Sequence, residues 1–135
     1  MMLQVQNSMK TIFKPVWNDK LILIAEDEES NYLYLKELLR NTQAKVIHVY
    51  DGRQAVEVCR KEPIDLVLMD IKMPEMNGFQ AASQIKNFNE KIIIIAQTAY
   101  AMTEDRDKAL QAGCDNYIAK PIHKDDLLYM MSAYL

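Results

Sequence analysis

The stretch Ile64–Gly78, IDLVLMDIKMPEMNG, places an apolar run directly before an aspartate and a loop. The run Ile64–Met69 has the length and the almost continuous apolar character of a buried parallel strand. Pro74 and the pair Asn77-Gly78 then favour a loop. Asp70 is therefore predicted to lie at the carboxyl end of a central strand, where open α/β sheets place their chemistry.

Three further apolar segments end in polar groups in the same way. They are LILIA before Glu26-Asp27, IIIIAQ before Thr98, and NYIA before Lys120-Pro121. Parallel strands bring their carboxyl ends to one edge of a sheet, so acids, a hydroxyl and an ammonium group are expected to converge there. The sequence thus predicts a polar site that is built from strand ends.

Strand-like and helix-like segments alternate along the chain. The apolar runs predict strands near 21–26, 45–50, 64–69, 92–97 and 116–119, and the intervening patterns predict helices near 30–40, 53–61, 78–87, 103–112 and 124–134. Such alternation favours a doubly wound α/β fold with a parallel sheet. Neither GxGxxG nor GxxxxGK[ST] is present, so nucleotide binding by these routes has no support.

These residues, in this order and spacing, resemble the receiver domain of two-component response regulators. The resemblance rests on Glu26-Asp27, Asp70, Thr98-Ala99, Tyr117 and Lys120-Pro121. It covers residues 20–135 and implies a flavodoxin-like receiver fold, (β/α)5, with a five-stranded sheet in the order 2-1-3-4-5. It also implies that Asp70 accepts a phosphoryl group from the phosphohistidine of a histidine kinase or histidine phosphotransfer domain. The domain would then be a phosphoacceptor with its own phosphorylation and dephosphorylation chemistry rather than a conventional enzyme.

By the same resemblance, the expected cofactor is Mg²⁺, or Mn²⁺ in its place. Asp27 and Asp70 are expected to bind the ion directly, Glu26 directly or through water, and Lys72 through its backbone carbonyl. A cation also suits the residue types, because clustered carboxylates and an incoming phosphoryl group repel one another. Mg²⁺ prefers hard oxygen ligands of this kind.

The resemblance assigns the remaining roles around the nucleophile. Lys120 is expected to pair with Asp70 and afterwards with a phosphoryl oxygen, and the peptide bond to Pro121 is expected to be cis. Thr98 would donate its hydroxyl to another phosphoryl oxygen. Thr98 and Tyr117 together would form the conformational switch.

By the same resemblance, two positions are expected to tune how fast the phosphoryl group is lost. Lys72 lies two residues after Asp70, and Tyr100 lies two residues after Thr98. Because the bulky Tyr100 would obstruct attacking water, we hypothesise a long-lived phosphoaspartate.

Composition limits the remaining possibilities. The chain has 135 residues, a net charge of −3 and a pI near 5.4, which suits one soluble domain and does not support nucleic-acid binding. Its longest apolar run is too short to cross a bilayer, so we expect no direct membrane contact and a cytoplasmic location. Cys59 and Cys114 lack metal-ligand spacing and are interpreted as reduced packing residues.

Residues 1–19 are predicted to be a linker or N-terminal extension, because they show no clear hydrophobic period. A lead-in of this kind, with Pro15 and Trp17, favours the C-terminal receiver of a hybrid sensor histidine kinase, and a cytosolic position within a membrane-bound parent is one option for it. No output domain is expected after Leu135. Three alternatives remain: a free-standing single-domain response regulator, a scaffold receiver that is not phosphorylated, and a haloacid-dehalogenase-like phosphatase. The phosphatase would need a second aspartate at the position of Lys72, and dimerisation is left open.

The first predicted helix has a candidate docking face for a histidine-containing partner. Its helical period separates two groups of side chains: Asn31, Leu35, Leu38 and Leu39 on one face, and Tyr32, Leu33 and Lys36 on the other. Apolar groups on the outer face either contact a partner or cover the edge between helix and sheet.

Overall fold

The computed structural model describes residues 14–99 and 103–135. Strands and helices alternate through the described part of the chain. In chain order they are β1 (Leu21–Ala25), α1 (Glu29–Leu39), β2 (Lys45–Val49), α2 (Gly52–Lys61), β3 (Leu66–Asp70), α3 (Gly78–Phe88), β4 (Ile93–Thr98), α4 (Thr103–Gln111), β5 (Asn116–Ala119) and α5 (Lys124–Ser132).

The strands form one sheet in the order β2-β1-β3-β4-β5, and every neighbouring pair is parallel. The predicted fold class and strand order are confirmed. The largest boundary differences are at the start of β3 and the end of α5. β3 begins at Leu66 rather than Ile64. Asp65, directly before the strand, connects it to β1, because its carboxylate accepts a hydrogen bond from the Leu21 backbone N–H at 2.8 Å.

Helices cover both faces of the sheet. The α1/α5 face buries apolar side chains of those two helices against alternate strand residues, such as Leu35, Leu127, Ile24 and Leu68. The α2–α4 face does the same with the other strand residues, such as Ala55, Ile85, Val67 and Ile94. β3 is buried along its whole length, as the continuous apolar run predicts for a central parallel strand. No helix within the described residues is both long and apolar enough to span a membrane.

Trp17 lies in the segment that the sequence analysis treats as a linker, and it packs against the α1/α5 face. Its side chain is buried among the residues of that cluster. Its backbone N–H donates to the Thr42 carbonyl at 2.7 Å. The segment that includes Trp17 therefore contributes to the packing of the fold.

Candidate functional site

Three carboxylates meet at the carboxyl edge of the sheet. Glu26 and Asp27 follow β1, and Asp70 is the last residue of the neighbouring strand β3. One carboxylate oxygen of each residue lies within 4.8 Å of one from each of the others. Glu26 and Asp70 are buried, whereas Asp27 is exposed to solvent. The structure thus brings together the three acids that the sequence predicted to converge.

Glu26 is held by donors from α1, from the residue directly before α1, and from β2. Its Oε1 atom accepts hydrogen bonds from the Asn31 side-chain amide and the Glu28 backbone N–H, both at 3.3 Å. Its backbone carbonyl accepts a hydrogen bond from the His48 ring, 2.8 Å from Nε2. Burial, followed by the negative charge of Asp70, raises the pKa of Glu26 from 4.5 to about 7.

Lys120 faces two of the acids from β5. Its Nζ atom is 3.5 Å from Asp70 Oδ2 and 3.7 Å from Glu26 Oε2. The following bond to Pro121 is cis, as expected. Because the ammonium group counters a buried pair of carboxylates, it lowers the repulsion between them.

The loop after β3 fixes the nucleophile that the sequence predicts. The Lys72 backbone N–H donates to Asp70 Oδ1 at 3.1 Å, and the Lys72 side chain is exposed. Gly78 begins α3 so close to the strand that an added Cβ would lie 2.3 Å from the Asp70 carbonyl oxygen. Only glycine allows this approach, so the start of α3 holds the end of β3 in place.

The donor set fits a hard divalent cation. Three carboxylates share one small volume, and Mg²⁺ takes oxygen ligands while keeping several waters. The buried Oε2 atom of Glu26 has no hydrogen-bond donor within residues 14–99 and 103–135. A buried oxygen without a donor is uncommon, and a bound cation or its water would satisfy it.

The two predicted switch residues contact α4. The Thr98 hydroxyl, at the buried end of β4, donates to Asp105 Oδ2 at 2.9 Å. Tyr117 is half-buried, and the Arg106 guanidinium lies 5.9 Å from its ring centroid. Tyr100 lies outside the described residues, so its tuning role stays a prediction.

Sequence reasoning gave no role to two side chains at this site. Asp105 contacts Thr98, but an acid in the first turn of a helix ordinarily signals only the helix dipole. Gln97 pairs with Asp70 in the sheet register and is 1% exposed, and its side-chain nitrogen has no hydrogen-bond partner among the described residues. The sequence did contain a signal for Gln97, because a glutamine stands directly after the apolar run IIIIA.

Comparisons with known proteins agree with this architecture. The model of the response regulator receiver domain family matches residues 22–132. The polar-differentiation response regulator DivK of Brucella anthropi is 34% identical over 118 residues, which cover 86% of this chain and 96% of the relative.

Two solved structures are similar in fold and sequence. The receiver domain of a Pseudomonas aeruginosa sensor histidine kinase, which has a magnesium ion coordinated in its active-site cleft, gives a TM-score of 0.80 at 33% identity and covers 85% of this chain and 96% of that chain. The second structure is a co-crystal of a Saccharomyces cerevisiae histidine phosphotransfer protein with the receiver domain of its downstream response regulator. One chain of it gives a TM-score of 0.81 at 27% identity and covers 91% of this chain and 90% of that chain.

Proposed function

Because the chain belongs to the family of response regulator receiver domains, we propose that it takes a phosphoryl group from a phosphohistidine onto Asp70. One observation carries the proposal: the buried Asp70 carboxylate lies at the carboxyl edge of the sheet, beside two further acids and 3.5 Å from an ammonium group. Such a cluster suits group transfer to a carboxylate, which is a recognised form of covalent catalysis.

In the transfer, an Asp70 carboxylate oxygen forms a bond to phosphorus while the bond from phosphorus to the donor imidazole nitrogen breaks. The imidazole keeps the electron pair of that bond and takes up a proton. The proposed partner of a phosphoryl oxygen is Lys120, and the 3.5 Å between its Nζ atom and Asp70 Oδ2 supports this role. Positioning and charge neutralisation account for most of the catalysis in reactions of this kind.

Glu26, Asp27, Asp70 and the Lys72 backbone carbonyl would hold Mg²⁺. When bound, the ion supplies positive charge that offsets the acids and the phosphoryl oxygens. Glu26 must lose its proton to act as a ligand, so its raised pKa makes metal binding weaker below about pH 7.

The first experiment incubates the protein with acetyl phosphate and Mg²⁺ and measures the intact mass. We expect one phosphoryl adduct in the wild type, none in Asp70→Asn, and none when a chelator is present. Asp107→Asn is the matched control, because Asp107 is an exposed aspartate on α4. An adduct that persists in Asp70→Asn would place the nucleophile elsewhere. Absence of an adduct in the wild type would favour a scaffold receiver.

The same adduct tests the proposed phosphoaspartate lifetime. Lys72 and Tyr100 occupy the two tuning positions, and the bulky Tyr100 would slow attack by water. We expect the isolated, phosphorylated domain to lose the group over minutes or longer. A half-life of seconds would refute this part of the proposal.

The proposed phosphodonor is a histidine phosphotransfer domain or the dimerisation domain of a histidine kinase, which docks on α1 beside the acidic site. Leu33 and Tyr34 support this docking face, because their side chains are 52% and 49% exposed. Leu35, Leu38 and Leu39, which were expected to share a face, are buried against the sheet. Tyr32, expected on the outer face, stacks on His48 with 3.7 Å between ring centroids.

A substitution on α1 separates docking from chemistry. Leu33→Asp is expected to slow transfer from a phosphorylated histidine donor and to leave labelling by acetyl phosphate unchanged. Leu110→Asp is the matched control, since Leu110 is 48% exposed but lies on α4. Equal loss with both donors, or equal loss in both variants, would contradict the docking proposal.

Two kinds of relative are relevant to the question of which larger protein this domain comes from. The chain resembles both a response regulator and the receiver domain of a sensor histidine kinase. We retain the hybrid kinase as the proposed parent and the free-standing regulator as its alternative. The exposed Lys72 occupies the position where a haloacid-dehalogenase-like phosphatase needs its second aspartate, so that alternative loses support.

A further inference from the structure

We propose that Asp105 is a positioning residue that holds the Thr98 hydroxyl in its resting orientation, so that a phosphoryl group on Asp70 must displace it. The inference deepens the proposed function and rests on it. It starts from the 2.9 Å hydrogen bond that Thr98 Oγ1 donates to Asp105 Oδ2.

The alternation of side chains along β4 explains why Thr98 reaches Asp105. Ile94 and Ala96 pack on the α2–α4 face of the sheet, and Thr98 has the same parity along the strand. Its side chain therefore starts on the side that α4 covers. Asp70 has the opposite parity to Val67 and Met69, which pack on that α2–α4 face. The resting hydroxyl and the phosphoacceptor thus belong to opposite faces of one sheet.

The Thr98 hydroxyl changes partner by side-chain rotation. The Thr98 backbone is fixed, because its carbonyl accepts a hydrogen bond from the Lys120 N–H at 2.7 Å within the sheet edge. A hydroxyl carries one proton and donates to one acceptor at a time. A β-branched side chain occupies discrete rotamers, so the carboxylate of Asp105 and a phosphoryl oxygen define two alternative states.

The Thr98 hydroxyl would exchange one anionic oxygen, on Asp105, for another, on the phosphoryl group. The two hydrogen bonds are therefore of similar strength. A hydrogen bond to a charged acceptor is stronger than a neutral one, so Asp105 favours the resting state more than a water molecule would. The next residue on α4, Arg106, lies over the ring of Tyr117. The same turn of α4 therefore contacts both residues of the proposed switch, and release of Thr98 would loosen that turn.

The test measures how tightly beryllium fluoride, a phosphoryl mimic, binds Asp70 in the presence of Mg²⁺. Asp105→Ala removes the resting acceptor, and we expect it to tighten binding about ten- to a hundredfold, the range for one lost hydrogen bond to a charged acceptor. Labelling by acetyl phosphate should accelerate by a similar factor. Asp107→Ala removes the same charge from an exposed position on α4 and should have little effect. Binding of Mg²⁺ alone should be alike in the two variants.

A double-mutant cycle with Thr98→Val separates positioning from electrostatics. Without the hydroxyl, the gain from Asp105→Ala should disappear. A gain that persists in the Thr98→Val background, or that Asp107→Ala reproduces, would overturn the proposal. If Asp105→Ala fails to fold, Asp105→Asn serves instead: its neutral oxygen is a weaker acceptor and should give a smaller gain, and no gain would overturn the proposal.

A measurement on the unphosphorylated protein tests the restraint by Asp105 separately from the proposed function. Three-bond couplings to the Thr98 methyl carbon report its rotamer, and they should change in unphosphorylated Asp105→Ala but not in Asp107→Ala. Unchanged couplings would refute the restraint. A wild type that is neither labelled nor binds beryllium fluoride would refute the proposed function instead, whatever the couplings show.

Discussion

Replacing Glu26 by glutamine is expected to stabilise the metal-free protein at pH 8 and to leave its stability nearly unchanged at pH 4. Burial, and then the charge of Asp70, raises the pKa of Glu26 from 4.5 to about 7. The folded state therefore holds this proton more tightly than the unfolded state. Ionisation of Glu26 costs the fold nothing below pH 4.5, an increasing amount between pH 4.5 and 7, and the full amount above pH 7.

The size of the effect follows from the pKa. Each pKa unit corresponds to ~1.4 kcal/mol, so the rise from 4.5 to about 7 corresponds to ~3 kcal/mol of unfolding free energy at pH 8. Glutamine keeps an oxygen that can accept from the Asn31 amide, as Glu26 Oε1 does, but it carries no charge. The free energy of unfolding of Glu26→Gln should therefore exceed that of the wild type by about 3 kcal/mol at pH 8.

The assay is urea unfolding of both proteins at pH 4, 6 and 8 with a chelator, repeated with Mg²⁺. All other groups titrate in both proteins, so the difference between them reports the ionisation of Glu26 together with its interactions with Asp70 and Lys120. Added Mg²⁺ should stabilise the wild type more than Glu26→Gln at pH 8, because the ion compensates the carboxylate. Glu90→Gln, at an exposed site, is the control. A difference that does not grow from pH 4 to pH 8 would refute the reasoning.

Three further predictions test the packing of the core and of the loop that follows Asp70. Trp17→Ala should lower the unfolding free energy by ~3 kcal/mol or more, because the indole is buried; a loss below ~1 kcal/mol in urea unfolding would remove this segment from the folded core. Gly78→Ala should weaken Mg²⁺ binding measured by calorimetry, since its Cβ would displace the Asp70 carbonyl; unchanged affinity would contradict that contact. Burial raises the pKa of Cys59 and Cys114 to about 12, so a thiol reagent at pH 8 should modify both in urea and neither in the native protein, and rapid native labelling would count against the fold.

The strand ends could be predicted from the sequence because the signals are local. A run such as LVLM must be buried, and the polar residue that follows it must lie at the sheet edge. The order of the strands is not local information, and it came from the resemblance to receiver domains. Once the order is known, Glu26 and Asp70 must be neighbours, since β1 and β3 are adjacent.

The partners of these side chains could not be predicted, because they depend on how helices pack. His48 reaches the Glu26 carbonyl across 22 residues of sequence, and nothing in the β2 segment distinguishes it from a surface histidine. The missing hydrophobic period predicts a linker or N-terminal extension at residues 1–19. It gives no sign that Trp17 is buried, because a single aromatic residue can be buried without such a period. The acceptor for Thr98 depends on where α4 lies, which no periodicity specifies.

Alternate residues along a strand point to opposite faces of the sheet, and this alternation separates Thr98 from Asp70. Thr98 begins on the face that α4 covers, whereas Asp70 belongs to the face covered by α1 and α5. Side chains from opposite faces can meet only beyond the strand ends, where no neighbouring strand separates them. A phosphoryl group on Asp70 would extend into that space and could draw the Thr98 hydroxyl away from Asp105. Chemistry on one face of the sheet would then change the contacts of α4 on the other, without any movement of the sheet itself.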